Sequence, residues 1–389
     1  MIPISYNIRS LLVRKTTTLA AVIGIALVVF VFSASLMLSE GVKKTLSISG
    51  KRDQAIVMRK GSDGELASGV ETSTLALIGA APGVRKRPDG QPSLLGEIVA
   101  VSSLAKKGEA NSMSNVVLRG VPADVWQFRP EARIVRGRLP RPGTDEAAVG
   151  IRLEGRFVGL ELGKTFELRK NRPLSIVGVF EAEGSTYESE VWTDVDTLSQ
   201  GFGRAGGVSV ARVQLESPGA FDAFEAAVES DKRLGLEAMR ETDFYEKQTE
   251  GTSGLTSVMG SVISFFFAVG AIIGAMITMY ASIAHRQREV GTLRALGFSR
   301  RTILGCFLLE STLLSLAGGV IGVVAALGLG AAEFSLMNQA NWSEMIFKFT
   351  PTPGILVTAL VVSSLMGVMG GLLPAVRAAR LSPVKAMRE

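Results

Sequence analysis

The stretch GLELGKT, from Gly159 to Thr165, looks at first like a loop that cradles phosphate. Such a loop needs four residues between its glycines so that successive backbone N–H groups can point at the phosphate oxygens, and here there are only three. The residues that follow, FELRKNRPLSIVGVF, read as two strands joined by a basic turn, so Gly163 and Lys164 are expected to close a turn instead. Other chemistry is just as sparse. Cys306 is the single cysteine, which excludes an intrachain disulfide and any cysteine cluster for a metal. His285 is the single histidine, so a metal site or a nucleophile–base pair would have to rest on it alone. Glu310 is different: it lies eight residues into an apolar run, about 12 Å along a helix. A charge at that depth marks either a contact between helices or a polar pathway.

These residues need elements to hold them, and the composition says which kind. Of 389 residues, 47% are hydrophobic and 20% charged, with a mean hydropathy of +0.31, which excludes a wholly soluble or disordered chain. The apolar residues fall into four runs, each long enough to cross a bilayer. The first span is expected at 19–38, after a cytoplasmic segment at 1–18; its apolar core is too long for a cleaved signal peptide. The second, 251–284, holds 34 residues without a charge, about 51 Å as a helix, and its small, polar start GTSGLTSVMGSV suggests a stalk above the membrane. The third span is expected at 302–332 and the fourth at 349–376.

Lysine and arginine are enriched in cytoplasmic loops. Arg9, Arg14 and Lys15 precede the first span; Arg286, Arg288, Arg294, Arg300 and Arg301 separate the second from the third; Arg377, Arg380, Lys385 and Arg388 follow the fourth. Both termini (the last being 377–389) and the 285–301 loop are therefore expected to be cytoplasmic, with 40–250 and the 333–348 loop outside. The net charge of +6 is explained by this bias, so no nucleic-acid partner is expected. Gly270 with Gly274, Gly318 with Gly322, and Gly367 with Gly371 stand four apart, a spacing that lets helices approach closely within one subunit or across a dimer.

The 40–250 segment reads as α+β. DQAIVMRKG and SVARVQLESP look like strands, while ETSTLALIGAAPGV and GAFDAFEAAVESDKRLG look like helices. Strand and helix at both ends suggest one α+β lobe from 50–115 and 184–247, with a β-rich lobe inserted at 116–183. Trp126, Trp192 and Trp342 are expected to be packing residues. The fold class is therefore an α-helical membrane protein with four transmembrane helices and a two-lobed extracytoplasmic α+β domain between helices 1 and 2.

The 285–301 loop runs into HRQREVGTLRALGFSRRTIL: a short amphipathic helix with Val290, Leu293 and Leu296 on one side, a stop at Gly297, and Ser299 as cap of the next helix. Such a helix suits either a partner's groove or the lipid surface. REVGTLRALGFSRRTIL with ESTLLSLAGGVIG, the closing LPAVRAARLSPVKAMR with Pro374 and Pro383, and the opening NIRSLLVRKTTTLAAVIGIAL resemble the MacB/FtsX/LolC-type ABC transporter permeases. That resemblance implies a homodimer or pseudo-dimer, a two-lobed external domain, and a coupling helix that seats on an ATPase. By position, Glu289, Gly291, Thr292, Leu293, Arg294, Ala295, Leu296 and Gly297 would form the coupling element, flanked by Arg300 and Arg301. It also implies a periplasmic adaptor and an outer-membrane channel as partners, besides membrane lipid. With about 18 residues before the first span and 13 after the last, the ATPase is expected in another chain. No cofactor is expected on this chain, ATP and magnesium belonging to that partner. The family pattern puts an acid at Glu310, which favours an inter-helix contact. Export from the bacterial inner membrane is the leading reading; extraction of lipid or lipoprotein, or regulation of a cell-wall hydrolase, are the alternatives.

Overall fold

The computed structural model describes residues 15–109, 112–169, 172–232, 234–338 and 343–381. Arg9, Arg14, Trp342, Pro383, Lys385 and Arg388 lie outside them. The helices are α1 (Lys15–Ser49), α2 (Leu75–Gly79), α3 (Val125–Phe128), α4 (Val195–Phe202), α5 (Phe221–Ser230), α6 (Glu241–His285), α7 (Gln287–Ala295), α8 (Arg300–Leu327) and α9 (Pro353–Ala379). The strands are β1 (Gln54–Arg59), β2 (Val70–Glu71), β3 (Leu94–Ala105), β4 (Met113–Val121), β5 (Arg133–Gly137), β6 (Glu146–Gly150), β7 (Thr165–Arg169), β8 (Arg172–Glu181), β9 (Glu190–Asp194), β10 (Gly207–Val208), β11 (Val210–Gln214), β12 (Leu236–Arg240), β13 (Glu333–Asn338) and β14 (Ser343–Lys348). Among the described residues, four helices are long and apolar enough to cross a membrane: α1, α6, α8 continued to Ala331, and α9.

The chain divides into two units. One comprises residues 1–41, 255–333 and 348–389, and holds most of the four apolar helices. Within it the glycine pairs sort into two kinds. A side chain at Gly318 would meet Val22 O at 2.9 Å, one at Gly322 would strike Ala26 O, and Gly367 and Gly371 stand against Ser315 and Ser311. These glycines therefore let α8 approach α1 and α9 within one chain. Among the described residues, Gly270 and Gly274 on α6 have no such neighbour within 4 Å. Hydroxyls then bond to backbone across α8 and α9, with Ser311 Oγ donating to Gly367 O at 2.6 Å, because lipid offers a buried hydroxyl no other acceptor.

The other unit comprises residues 42–254 and 334–347. Its main sheet is ordered β12-β1-β11-β3-β4-β9-β6-β8-β5, with β7 added on β8. The long β3 pairs with β11 through its first residues and with β4 through the rest, so it joins the two expected lobes into one sheet. The expected seam is displaced: β9 was placed with the outer α+β lobe, yet it pairs with β4 and β6. One side of the sheet buries Val57, Ile98, Leu118, Val149 and Val213 in one cluster with Leu198 of α4 and Phe221 and Phe224 of α5. Each such side chain contributes about 1.5–3 kcal/mol on burial.

Three boundaries differ from the sequence reading. α1 does not stop near Leu38 but continues to Ser49, and α6 begins at Glu241 rather than 251. Val42 and Leu46 stand one helical turn apart in the α1 extension, and with Phe244 and Tyr245 of the α6 extension they are buried together against Ile56 and Met58. Segment 333–348, expected as a loop, is the hairpin β13–β14, and its Met345 and Phe347 join the same cluster.

Candidate functional site

The loop between α6 and α8 is built from its own sequence. α7 ends in a Schellman arrangement: Phe298 N donates to Leu293 O at 3.1 Å and Gly297 N to Arg294 O at 3.2 Å. Gly297 has φ +94°, a conformation that costs a residue bearing Cβ. Ser299 then caps α8, its Oγ accepting from Thr302 N at 3.2 Å. The two turns hold α7 by Val290, which is buried, and by Leu293 and Phe298, which pack with Ile283, Ile303, Phe307 and Ala375.

The expected coupling residues divide accordingly. Gly291 is buried and Leu293 half-buried, whereas Glu289, Thr292, Ala295, Gly297, Arg300 and Arg301 are exposed. Arg294 donates from Nη1 to Phe298 O at 3.2 Å and so secures the turn. Leu296 does not share the side of Val290 and Leu293: it is 72% exposed, because six residues on from Val290 it stands about 120° around the helix at 3.6 residues per turn. His285 is exposed at the end of α6.

Arg286, in the sequence reading only one of the loop's cations, is buried. Its Nη1 reaches Glu310 Oε2 at 2.9 Å and Oε1 at 3.3 Å, while its Nε reaches Glu289 Oε2 at 3.0 Å. The guanidinium lies 5.4 Å from the centre of the Phe307 ring. The first residue after α6 is thus tied to α8 and α7 together, and Glu310 serves as that anchor.

A second constellation, missed at the level of sequence, lies in the unit of 42–254. Side chains on one side of a sheet repeat every second residue. Register pairs Arg212 with Leu95 and Arg119 with both Val99 and Trp192, so Arg212, Glu97, Arg119 and Glu190 all project from one side. Arg119 grips Glu190 with two bonds of 2.7 Å and donates from Nη1 to Glu97 at 2.8 Å and to Glu65 at 2.9 Å. Arg212 donates to Glu97 at 3.2 Å and Glu65 at 2.6 Å, and it also pairs with Glu241, the first residue of α6. Arg129 closes the group on Glu97 and lies 4.6 Å from the centre of the Tyr187 ring. The signal was legible as single charges inside apolar strands, in LLGEIVAV, VVLRGV and VARVQL. Burial pushes the Glu97 carboxyl upward, but the guanidiniums of Arg129, Arg119 and Arg212 override it and hold it down to about 2. Glu65 is held lower still, burial again being outweighed by Arg119 and Arg212.

Carboxylates depressed in the folded state contribute stability above their unfolded pKa and lose it as pH falls through the folded value. Stability of this unit is therefore expected to fall between about pH 4.5 and 2. Tryptophan fluorescence melts of the full chain across that window check it; a melting temperature unchanged from pH 5 to 2.5 would contradict it.

Four apolar helices, a mixed α/β domain inserted after the first, and a loop braced between the second and third have the architecture of a multi-pass membrane protein. Residues 16–231 match the model of the MacB-like periplasmic core domain, and residues 261–383 that of the FtsX-like permease C-terminal region. The chain belongs to the MacB/FtsX-type permease family. It is 34% identical over 230 residues to the macrolide export ATP-binding/permease protein MacB of Burkholderia cenocepacia, covering 56% of this chain and 32% of that one. It is 31% identical over 228 residues to the uncharacterized ABC transporter permease YknZ of Bacillus subtilis, covering 56% and 54%. With the MacB of Haemophilus ducreyi it shares 29% over 398 residues, covering 95% and 53%. The chain thus spans about a third to about half the length of these relatives. Among solved structures, the periplasmic region of MacB from Actinobacillus actinomycetemcomitans aligns with a TM-score of 0.39 at 12% identity, over 53% of this chain and 96% of that one.

Proposed function

We propose that this chain converts ATP turnover in a separate ABC ATPase subunit into movement of its inserted domain, and thereby into export of a substrate already across the cytoplasmic membrane. The observation that carries the reading is the braced loop. A short helix with one side packed on α6, α8 and α9 and the other presenting Glu289, Thr292 and the 72%-exposed Leu296 is a rigid surface for a docking partner. Arg286, the first residue after α6, links that surface to α8 through Glu310. Motion of α7 would reach the inserted domain along α6, which is one helix from Glu241 to His285, about 68 Å at 1.5 Å per residue. The basic residues of the loop favour a cytoplasmic loop and cytoplasmic termini, in the bacterial inner membrane. ATP and magnesium would be held by the ATPase.

A homodimer fits the state of α6, where Gly270 and Gly274 have no close neighbour among the described residues and Phe265 and Phe266 are 64% and 69% exposed. An adaptor protein on the inserted domain, leading to an outer-membrane channel, completes the export route.

Replacing Leu296 with aspartate tests the docking surface. Because the side chain is exposed, the variant is expected to fold as the parent does while losing at least about tenfold in co-purification with the ATPase, the loss of a buried anchor costing 1.4 kcal/mol or more. Undiminished co-purification would place the docking element elsewhere.

A further inference from the structure

We propose that the Arg212–Glu241 pair is a clamp that makes the end of α1 and the start of α6 behave as one piece and fastens both to the central sheet. The two helices meet at this point through their backbones. A side chain on Gly50, just past α1, would stand 2.9 Å from Glu241 O and 3.0 Å from the Thr242 Cα. The carboxylate of Glu241 completes the junction in two directions. Its Oε2 accepts from Lys51 N at 3.1 Å, on the α1 side, and its Oε1 pairs with Arg212 of β11. On the same junction Ser49 Oγ donates to Thr186 Oγ1 at 3.2 Å and accepts from Thr186 N at 2.9 Å, which adds the segment before β9.

Glu241 is suited to this by position as well as by charge. An acid in the first turn of a helix faces the positive end of the helix dipole, so the carboxylate binds its own helix while it binds Arg212. Arg212 in turn cannot follow Glu241 away from the sheet, because its remaining nitrogens are held by Glu97 and Glu65, and both of these are held by Arg119. Buried networks of this kind add little net stability over apolar packing, but they punish any displacement that leaves a charge unpaired. That asymmetry suits a joint that must transmit movement without slipping.

Spin-label distances in the full chain, reconstituted in lipid nanodiscs, test the clamp. With Cys306→Ser as background, labels at the exposed Lys43→Cys and Lys247→Cys report the α1–α6 junction, and labels at the exposed Lys164→Cys and Asp196→Cys report the sheet. The parent junction is expected to give one narrow distance. Glu241→Gln, which keeps size and removes charge, is expected to broaden it about twofold through local opening and to leave the sheet pair unchanged. Should Glu241→Gln not fold, Arg212→Lys takes its place, since a lysine cannot hold three carboxylates in a fixed fork. A junction as narrow in the variant as in the parent overturns the clamp. Broadening of both pairs overturns it equally, because the charges would then hold the fold in general and not this joint. The clamp rests on the permease reading for its purpose, yet the distances are measured without ATPase. A negative result at Leu296 would therefore sink that reading and leave this one standing.

Discussion

Arg119→Met is expected to lower the melting temperature of the full chain by about 6–20 °C, the largest effect of any single substitution in the inserted domain. The estimate follows from what the residue holds. Its side chain is 2% exposed and its nitrogens satisfy Glu190, Glu97 and Glu65, which are themselves 8%, 0% and 11% exposed. Removing one partner of a buried ionic group strands the others, at a cost of about 3–5 kcal/mol. In a unit of this size each kcal/mol moves the midpoint by about 2–4 °C. Trp192 gives the readout, since its Nε1 donates to Glu190 at 2.9 Å and its ring lies 5.4 Å from Trp126. Arg138→Ala is the control. That arginine also makes a two-pronged pair, with Glu146, but it is 47% exposed and water takes over its role, so a melting temperature close to the parent's is expected. Equal melts for the two variants would show that burial of the network carries no special weight.

The contrast between those two arginines also marks how much could be read from residue order. Hydropathy located the four apolar helices because a bilayer demands length and lack of charge, both of which are local properties. It could not show that α1 runs on to Ser49 and α6 starts at Glu241, because there the burial comes from β1 and from the β14 hairpin strand, distant in sequence. Loop 285–301 was legible in its turns, Gly297 and Ser299 being governed by backbone chemistry. Leu296 was misplaced on the side of Val290, since six residues on it stands about 120° around the helix at 3.6 residues per turn. Arg286 and Arg288 stand two apart in one basic run, and nothing local says that the first is buried against Glu310 and the second exposed. The glutamates and arginines of the inserted domain were hidden by the same non-locality. Strand register brings Glu97 and Arg212 together across 115 positions of sequence.

The ion pair beneath the loop allows stability and coupling to be separated. Arg286→Met alone removes the guanidinium that pairs with Glu310, an acid whose side chain is 4% exposed, so a loss of about 3–5 kcal/mol is expected. Arg286→Met combined with Glu310→Met removes both charges and restores apolar packing. Replacing a buried pair in this way is often neutral, so the double variant is expected to melt within about 1 kcal/mol of the parent. Its coupling should not recover. Glu289 on α7 loses the Nε contact of 3.0 Å in both variants, and no methionine can join the end of α6 to α7 and α8 at once. The double variant is therefore expected to keep its melting temperature and to co-purify with the ATPase, Leu296 being untouched, while ATP-driven export falls by at least about tenfold. Melting in nanodiscs and export in vesicles read the two quantities independently. A double variant as unstable as the single would mean that the guanidinium supports the helix ends through its stem and Phe307 contact rather than through charge. Parent-like export would mean that motion passes the loop without needing Arg286 at all.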